Sequence, residues 1–233
     1  SRHWVRPMPW QCPPKHRLCR APADNRAMKL VIVDRDGTVC VEREGYIQTP
    51  DEWEALPGAL DAIARLNQAG YHVVVAANMP GLGRGLFDSA ALNAIHTKMA
   101  KQLAAVGGRV EAIFFCPHAP EEACSCRKPA PGLFHKIGER YKIDLKQVHA
   151  VGNSLSDAQA AHAAGCVPHL VLTGRHAPQA DAPLPPDYPA ATRVHADLAA
   201  FATAFIAEQE SLAAATRAQA AANGLRSRCR RRA

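Results

Sequence analysis

The chain has 233 residues, 48% of them apolar, which is enough to bury a sizeable core in one large α/β domain. Its formal charge is +7, but residues 1–27 and 224–233 contribute +5 each, so the span between them carries −3 and is not read as a nucleic-acid-binding body. No apolar run approaches the ~20 residues that cross a bilayer and the opening SRHWVRPMPWQCPPKHRLCR lacks the apolar stretch of a signal peptide, so a cytoplasmic protein with no membrane partner is expected, its eight cysteines reduced.

Residues 1–27 are rich in Pro and Arg and show no period. They are expected to be a disordered extension, with Met28 as an alternative start, and Cys12 and Cys19 within them are read as incidental thiols. From Met28 onward, short β-branched runs alternate with helical patterns. Strands are expected at Leu30–Asp34, His72–Ala77, Ala112–Phe115, Val148–Val151 and His169–Leu172, with helices near Gly58–Ala69, Asp88–Val106, Pro131–Tyr141 and Ser156–Ala164. Alternation of this kind makes a doubly wound, Rossmann-like parallel sheet. Asp88 is read as an N-cap and Val106–Gly108 as a helix stop. The segment 174–193, dense in Pro and Ala, reads as a surface loop. Beyond it, Asp197 is expected to cap a final helix with Leu198, Phe201 and Phe205 on one face. The domain is placed at 28–210, and 211–233 is expected to be an Ala-rich helix end decaying into a basic disordered tail.

Ligands of an open parallel sheet bind beyond the carboxyl ends of its strands. The first strand runs into DRDGT, which sets Asp34 and Asp36 at its tip. Two carboxylates one residue apart diverge, so one can attack while the other handles protons, and the intervening carbonyls can meet a hard cation. A basic pair, Arg127 and Lys128, and a further strand end, VGNSLSD at 151–157, follow in order. Just before the basic pair, Cys116, His118, Cys124 and Cys126 form C-x-H, a five-residue gap and C-x-C. Four soft or borderline ligands suit a closed tetrahedral zinc site, which is structural rather than catalytic. Such a site would staple a loop that has no core of its own and face Arg127 and Lys128 toward a phosphate. The spacing does not match the C-x-x-C of a thiol oxidoreductase. Cys40 and Cys166 read as buried small hydrophobes, and His96 as a packed or exposed helix residue.

Taken together, DRDGT, EGYI, NMPGLGRGLF, CPH with CSCRKP, and VGNSLSDAQAA resemble the haloacid dehalogenase-like (HAD) phosphatases. The likeness is nearer to their D-glycero-D-manno-heptose 1,7-bisphosphate 7-phosphatase branch, with histidinol-phosphate phosphatases as relatives, and it spans roughly 28–205. It implies a HAD-like fold with a short zinc loop and no large cap domain. It also implies that Asp34 is the nucleophile, Asp36 the general acid and base, and Lys128 the cation that neutralises the phosphoryl group. Arg127 would contact the sugar or its second phosphate, and Asn78, Gly81 and Arg84 would line the substrate. Mg2+ would be held by Asp34, the Asp36 carbonyl and Asn153, and Zn2+ by the Cys/His cluster. A phosphorylated sugar is the implied partner and a monomer the implied state.

Two places depart from the family pattern. Where a Thr-Asn-Gln-Ser-Gly stretch is usual, this chain has ANMPG, so Ala77 lacks the hydroxyl, Met79 the amide, and Pro80 both hydroxyl and N–H. At the magnesium position an aspartate is usual and Asn153 stands instead, which brings no negative charge; Asp157, a turn later, is expected to help through a water. The readings carried forward are a magnesium-dependent phosphatase of weakened turnover, a non-catalytic phosphosugar- or protein-binding descendant, and a histidinol-phosphate phosphatase.

Overall fold

Leu30, Val31, Ile32 and Val33 are each no more than 2% exposed. A run that is apolar on both faces belongs in the middle of a parallel sheet covered on both sides. In the computed structural model, which describes residues 28–230 apart from 176, 180 and 181, and only the backbone of 221, 222 and 224–230, that is where they lie. They form β1 (Leu30–Val33), hydrogen-bonded in parallel to β2 (His72–Asn78) on one side and to β4 (His149–Gly152) on the other. With β3 (Ala112–Cys116), β5 (Val167–Val171) and β6 (Arg193–His195), the order across the sheet is β3-β2-β1-β4-β5-β6, all parallel.

The two-residue period of the strands divides the core into halves. Val31, Val33, Val73 and Val75 face α1 (Ala59–Gln68), α3 (Ser89–Ala105) and α6 (Leu198–Arg230), while Leu30, Ile32, Val74 and Ala76 face α4 (Gly132–Tyr141) and α5 (Leu155–Ala163). Asp88 caps α3 by accepting from the Ala91 N–H at 2.8 Å, and Leu198, Phe201 and Phe205 share the buried face of α6. Cys166 is buried among apolar neighbours, whereas Cys40, equally buried and expected as a small hydrophobe, also turns its Sγ to Asp36 Oδ1 at 3.3 Å and to the Arg35 carbonyl at 3.5 Å. The doubly wound α/β sheet expected from the sequence is thus the fold. Among the described residues, no helix is long and apolar enough to cross a membrane.

The differences from expectation have local causes. Helix α5 starts at Leu155 rather than 156 because Ser154 caps it, and Ser154 and Asp157 satisfy each other's N–H groups in a capping box. The stretch 80–83, outside the elements expected from the sequence, forms a short helix, α2 (Pro80–Gly83), with Pro80 in its first turn, where a missing N–H costs nothing. Strand β6 begins at Arg193, which was expected to close the surface loop; three half-exposed residues on a sheet edge carry no alternation to read. The Ala-rich helix end expected from 211 belongs to α6, whose backbone stays helical as far as Arg230. Cys12 and Cys19 lie outside the described residues.

Across the second half of the sheet, His149, His169 and His195 come one from each of β4, β5 and β6 and form a hydrogen-bonded row, with N···N distances of 2.8 and 2.9 Å. They pack on Phe201 and Phe205 of α6. Burial, reinforced by the other two histidines, holds His169 neutral and pushes it down to about 2.

Candidate active site and metal loop

Leaving β1, the chain proceeds to β2 and β3 on one side and to β4, β5 and β6 on the other, so the carboxyl end of β1 is the point where the sheet order reverses. The Asp34 N–H bonds the Val151 carbonyl at 2.8 Å, which ties the end of β1 to β4. From there the Asp34 carboxylate meets Lys128, whose Nζ lies 2.6 Å from Asp34 Oδ1, 2.5 Å from Asp157 Oδ1 and 2.8 Å from the Ala76 carbonyl. Lys128 is only 4% exposed. Although burial disfavours its charge, Asp157 and Asp34 more than offset this and raise its pKa, so the ammonium keeps its proton. Burial pushes the Asp34 carboxyl up, to about 7, against the pull of Lys128, and Asp157 adds to the rise.

Asp157 was expected to aid the magnesium site through a water. Both its oxygens are otherwise engaged, Oδ1 by Lys128 and Oδ2 by the Ser154 N–H and hydroxyl at 3.0 and 2.6 Å. It anchors the lysine.

Asp36 is held by a residue that the motifs do not single out. Arg35, 1% exposed, donates from Nε and Nη2 to the two carboxylate oxygens of Asp36, each at 2.8 Å. A planar fork of this kind fixes the direction of the carboxylate as well as its position. Behind it, His96 Nε2 lies 3.4 Å from Arg35 Nη1; burial and then Arg35 push His96 down to about 4, so it faces the guanidinium as a neutral acceptor.

Asp34, Asp36, Glu42, Tyr46, Lys128 and Asn153 line one cavity of about 460 Å³. The Asn153 amide sits in a slot between Gly37 and Gly174, where a Cβ on either would overlap it. Its oxygen accepts from the Thr38 hydroxyl at 3.3 Å and its nitrogen donates to Glu42 Oε2 at 3.5 Å. Carboxylate, amide and backbone oxygens at one cavity floor are the donors a hard cation such as Mg2+ takes.

The four expected zinc ligands come together where β3 ends, Cys116 from the strand's last position and His118, Cys124 and Cys126 from the loop that follows. Cys126 Sγ is 3.3 Å from Cys116 Sγ and from His118 Nδ1, and Cys116 Sγ is 3.4 Å from His118 Nδ1 and 3.7 Å from Cys124 Sγ. All four ligand atoms lie within 4.8 Å of one another. A tetrahedral zinc with Zn–S bonds of about 2.3 Å has S···S edges of about 3.8 Å, so the cluster is close to the size of the ion's coordination shell. Burial pushes the Cys116 thiol up to about 12 and raises Cys126 as well, while at Cys124 burial is outweighed by backbone N–H groups of Arg127 and Cys126, which leave it below the usual range; a bound zinc would supply the charge that deprotonates all three. We expect about one equivalent of zinc by elemental analysis, and Cys124→Ser should lose the metal and melt well below the parent chain. Metal-free protein of unchanged stability would count against a zinc staple.

The residues expected at the substrate divide. Asn78 lines the cavity, yet both ends of its amide are committed to the Lys128 backbone, donating to the carbonyl at 3.1 Å and accepting from the N–H at 3.0 Å, so it positions the lysine. Gly81 packs inside α2, where a Cβ would overlap Phe87. Arg84 is a strut: one guanidinium nitrogen donates to the Tyr46 hydroxyl and another to Glu121, each at 3.0 Å, joining the cavity wall to the metal loop. Arg127 follows the last of the four expected zinc ligands and keeps a buried Nη1 with no partner among the described residues. Neither Gly81, Arg84 nor Arg127 lines the cavity.

Residues 125–200 match the HAD-hydrolase-like family. The chain is 54% identical over 182 residues to the D-glycero-β-D-manno-heptose-1,7-bisphosphate 7-phosphatase of Bordetella bronchiseptica, covering 78% of this chain and 99% of that one. It is 44% identical over 177 residues to the enzyme of the same name from Pseudomonas aeruginosa, covering 76% and 97%. Among solved structures, D,D-heptose 1,7-bisphosphate phosphatase from B. bronchiseptica, complexed with magnesium and phosphate, superposes with a TM-score of 0.73 over 78% of this chain and 99% of that chain.

Proposed function

Because the chain belongs to the D-glycero-β-D-manno-heptose-1,7-bisphosphate 7-phosphatase branch of the HAD-like phosphatases, which are phosphoric monoester hydrolases, we propose that it removes the 7-phosphate of that heptose bisphosphate through an aspartyl-phosphate on Asp34. The observation that carries this reading is the Asp34–Lys128 pair, 2.6 Å apart at the floor of an open cavity where the sheet order reverses.

Phosphoryl transfer asks little covalent help from a protein and much positive charge around the moving group. Asp34 attacks phosphorus, forming the Asp34 O–P bond as the bond from phosphorus to the sugar oxygen breaks. Asp36, once one of its two oxygens leaves the Arg35 fork that holds both, gives the sugar oxygen its proton. It then takes a proton from a water that attacks phosphorus, releasing inorganic phosphate and restoring Asp34. Lys128 neutralises phosphoryl oxygens, while Asp157 and Asn78 keep it in place. Magnesium, held by Asp34, the Asp36 carbonyl and Asn153, would add charge stabilisation. Arg127 does not line the cavity, so its buried Nη1 would reach the sugar or its second phosphate only after its side chain turns toward the opening.

Ala77, Met79 and Pro80 favour a second reading, a phosphosugar-binding chain of weakened turnover. Each missing donor to a developing oxyanion costs on the order of a hundredfold or more. Phosphate release from a panel containing heptose 1,7-bisphosphate, histidinol phosphate and simple sugar phosphates, with magnesium, separates the readings. We expect the heptose bisphosphate to be turned over with the highest kcat/KM. A preference for histidinol phosphate would reassign the substrate, and binding without turnover of any of them would favour the second reading.

A further inference from the structure

At the cation site the chain places an amide, Asn153, where a carboxylate is usual, and a carboxylate, Glu42, stands beside it. We propose that Glu42 carries the negative charge that position 153 lacks, so that the two residues together do for the divalent cation what one aspartate would do. The inference rests on the magnesium-dependent reading above.

Three features of the structure point this way. First, the Asn153 amide is pinned at both ends. Its oxygen faces a donor, the Thr38 hydroxyl, and its nitrogen faces an acceptor, Glu42 Oε2 at 3.5 Å. An aspartate in the same slot would have no hydrogen to offer Glu42, and the two carboxylates would face each other across that distance, a like-charge contact that disfavours ionising both. Asparagine at 153 and glutamate at 42 therefore suit each other, and aspartate at 153 with glutamate at 42 does not, unless a cation lies between them.

Second, the neighbouring glutamates Glu44 and Glu54 have guanidinium partners, Arg175 at 3.6 Å and Arg43 at 3.7 Å, whereas no side-chain cation lies within ion-pair distance of Glu42 among the described residues. Its protein partners are an amide and the Arg175 backbone N–H at 3.1 Å. Third, Glu42 is part of the lining of the same cavity as Asp34, Asp36 and Asn153, so its charge is presented to the space the cation would occupy and not to bulk solvent alone. A hard cation selects by the number and charge of its oxygen ligands, and a carboxylate contributes through its field both directly and through a bridging water.

The test is calorimetric titration of Mg2+ into the full chain in the absence of substrate, which reads the site independently of turnover and does not involve the thiol-rich zinc loop. Glu42→Gln keeps an oxygen for the Arg175 N–H and the Asn153 amide and removes only the charge. We expect it to weaken Mg2+ binding at least fivefold with an unchanged circular dichroism spectrum. The swap Glu42→Gln with Asn153→Asp, which moves the charge to the neighbouring position, should recover affinity to within threefold of the parent. A loss of less than fivefold in the single variant, or a swap that fails to recover, overturns the assignment and leaves Glu42 as an anchor for the amide. If the parent chain itself takes up no Mg2+ at millimolar concentrations, the magnesium reading falls and this inference falls with it.

Discussion

Replacing Asp34 by asparagine should lower kcat for phosphate release by about 10⁴-fold or more, since the covalent step loses its nucleophile. The substitution is nearly isosteric, and its amide oxygen can still accept from Lys128 Nζ, which lies 2.6 Å from Asp34 Oδ1. The fold should therefore survive. Burial pushes the Asp34 carboxyl up to about 7, so in the metal-free protein the charged form is disfavoured by folding. For such a group the stabilising contribution is present at low pH and lost as pH rises through about 7. A neutral asparagine removes this term, so the variant should melt within a few degrees of the parent at pH 8, or above it. Steady-state phosphate release with a thermal melt on the same sample checks both halves. Retained turnover would show that a different group, or water itself, attacks.

Lys128→Met should harm both stability and rate. The methionine fills most of the volume but leaves two carboxylates and the Ala76 carbonyl facing a site from which the ammonium has gone. Removing one partner of a buried ion pair typically costs about 3–5 kcal/mol. Loss of the charge at the phosphoryl oxygens costs a further factor of about 10²–10³ in kcat. The stability loss carries a pH signature. With no lysine, Asp34 and Asp157 are relieved by taking up a proton, so the deficit should shrink as pH falls from 8 toward 5. Asp157→Asn added to Lys128→Met should recover part of the stability and none of the rate. Chemical denaturation across that pH range measures the first and phosphate release the second. A deficit that does not vary with pH would mean that the carboxylates are not what the lysine stabilises.

Much of this was legible because the information is local. The run Leu30–Val33 followed by DRDGT declares a buried strand with carboxylates at its tip, and the spacing of Cys116, His118, Cys124 and Cys126 points to four ligands that the structure brings within 4.8 Å of one another. What escaped the sequence depends on directions that only the assembled sheet sets. Arg35 lies inside the motif, but nothing in DRDGT says that its guanidinium turns back onto Asp36 and lies 3.4 Å from His96, 61 residues away. Asp157 reads as an aid to the magnesium site, yet it caps α5 through Ser154 and holds Lys128, which requires the end of β4 and the loop after β3 to meet. Asn78 is implied as a substrate residue by the family resemblance, yet its partner is the backbone of residue 128. Arg84, implied by the resemblance to line the substrate, is drawn instead to Tyr46 and Glu121. The histidine row across β4, β5 and β6 joins residues 20 and 26 apart and has no sequence signature at all.

The account stands on Asp34 as the attacking group, and trapping the covalent species tests that most directly. Enzyme mixed with substrate radiolabelled at the scissile phosphate and quenched in acid within the first turnover should carry label on the peptide containing Asp34. Borohydride reduction of that peptide should convert Asp34 to homoserine. Full release of labelled phosphate during turnover with no label on the protein, and with Asp34 unreduced, would contradict the account.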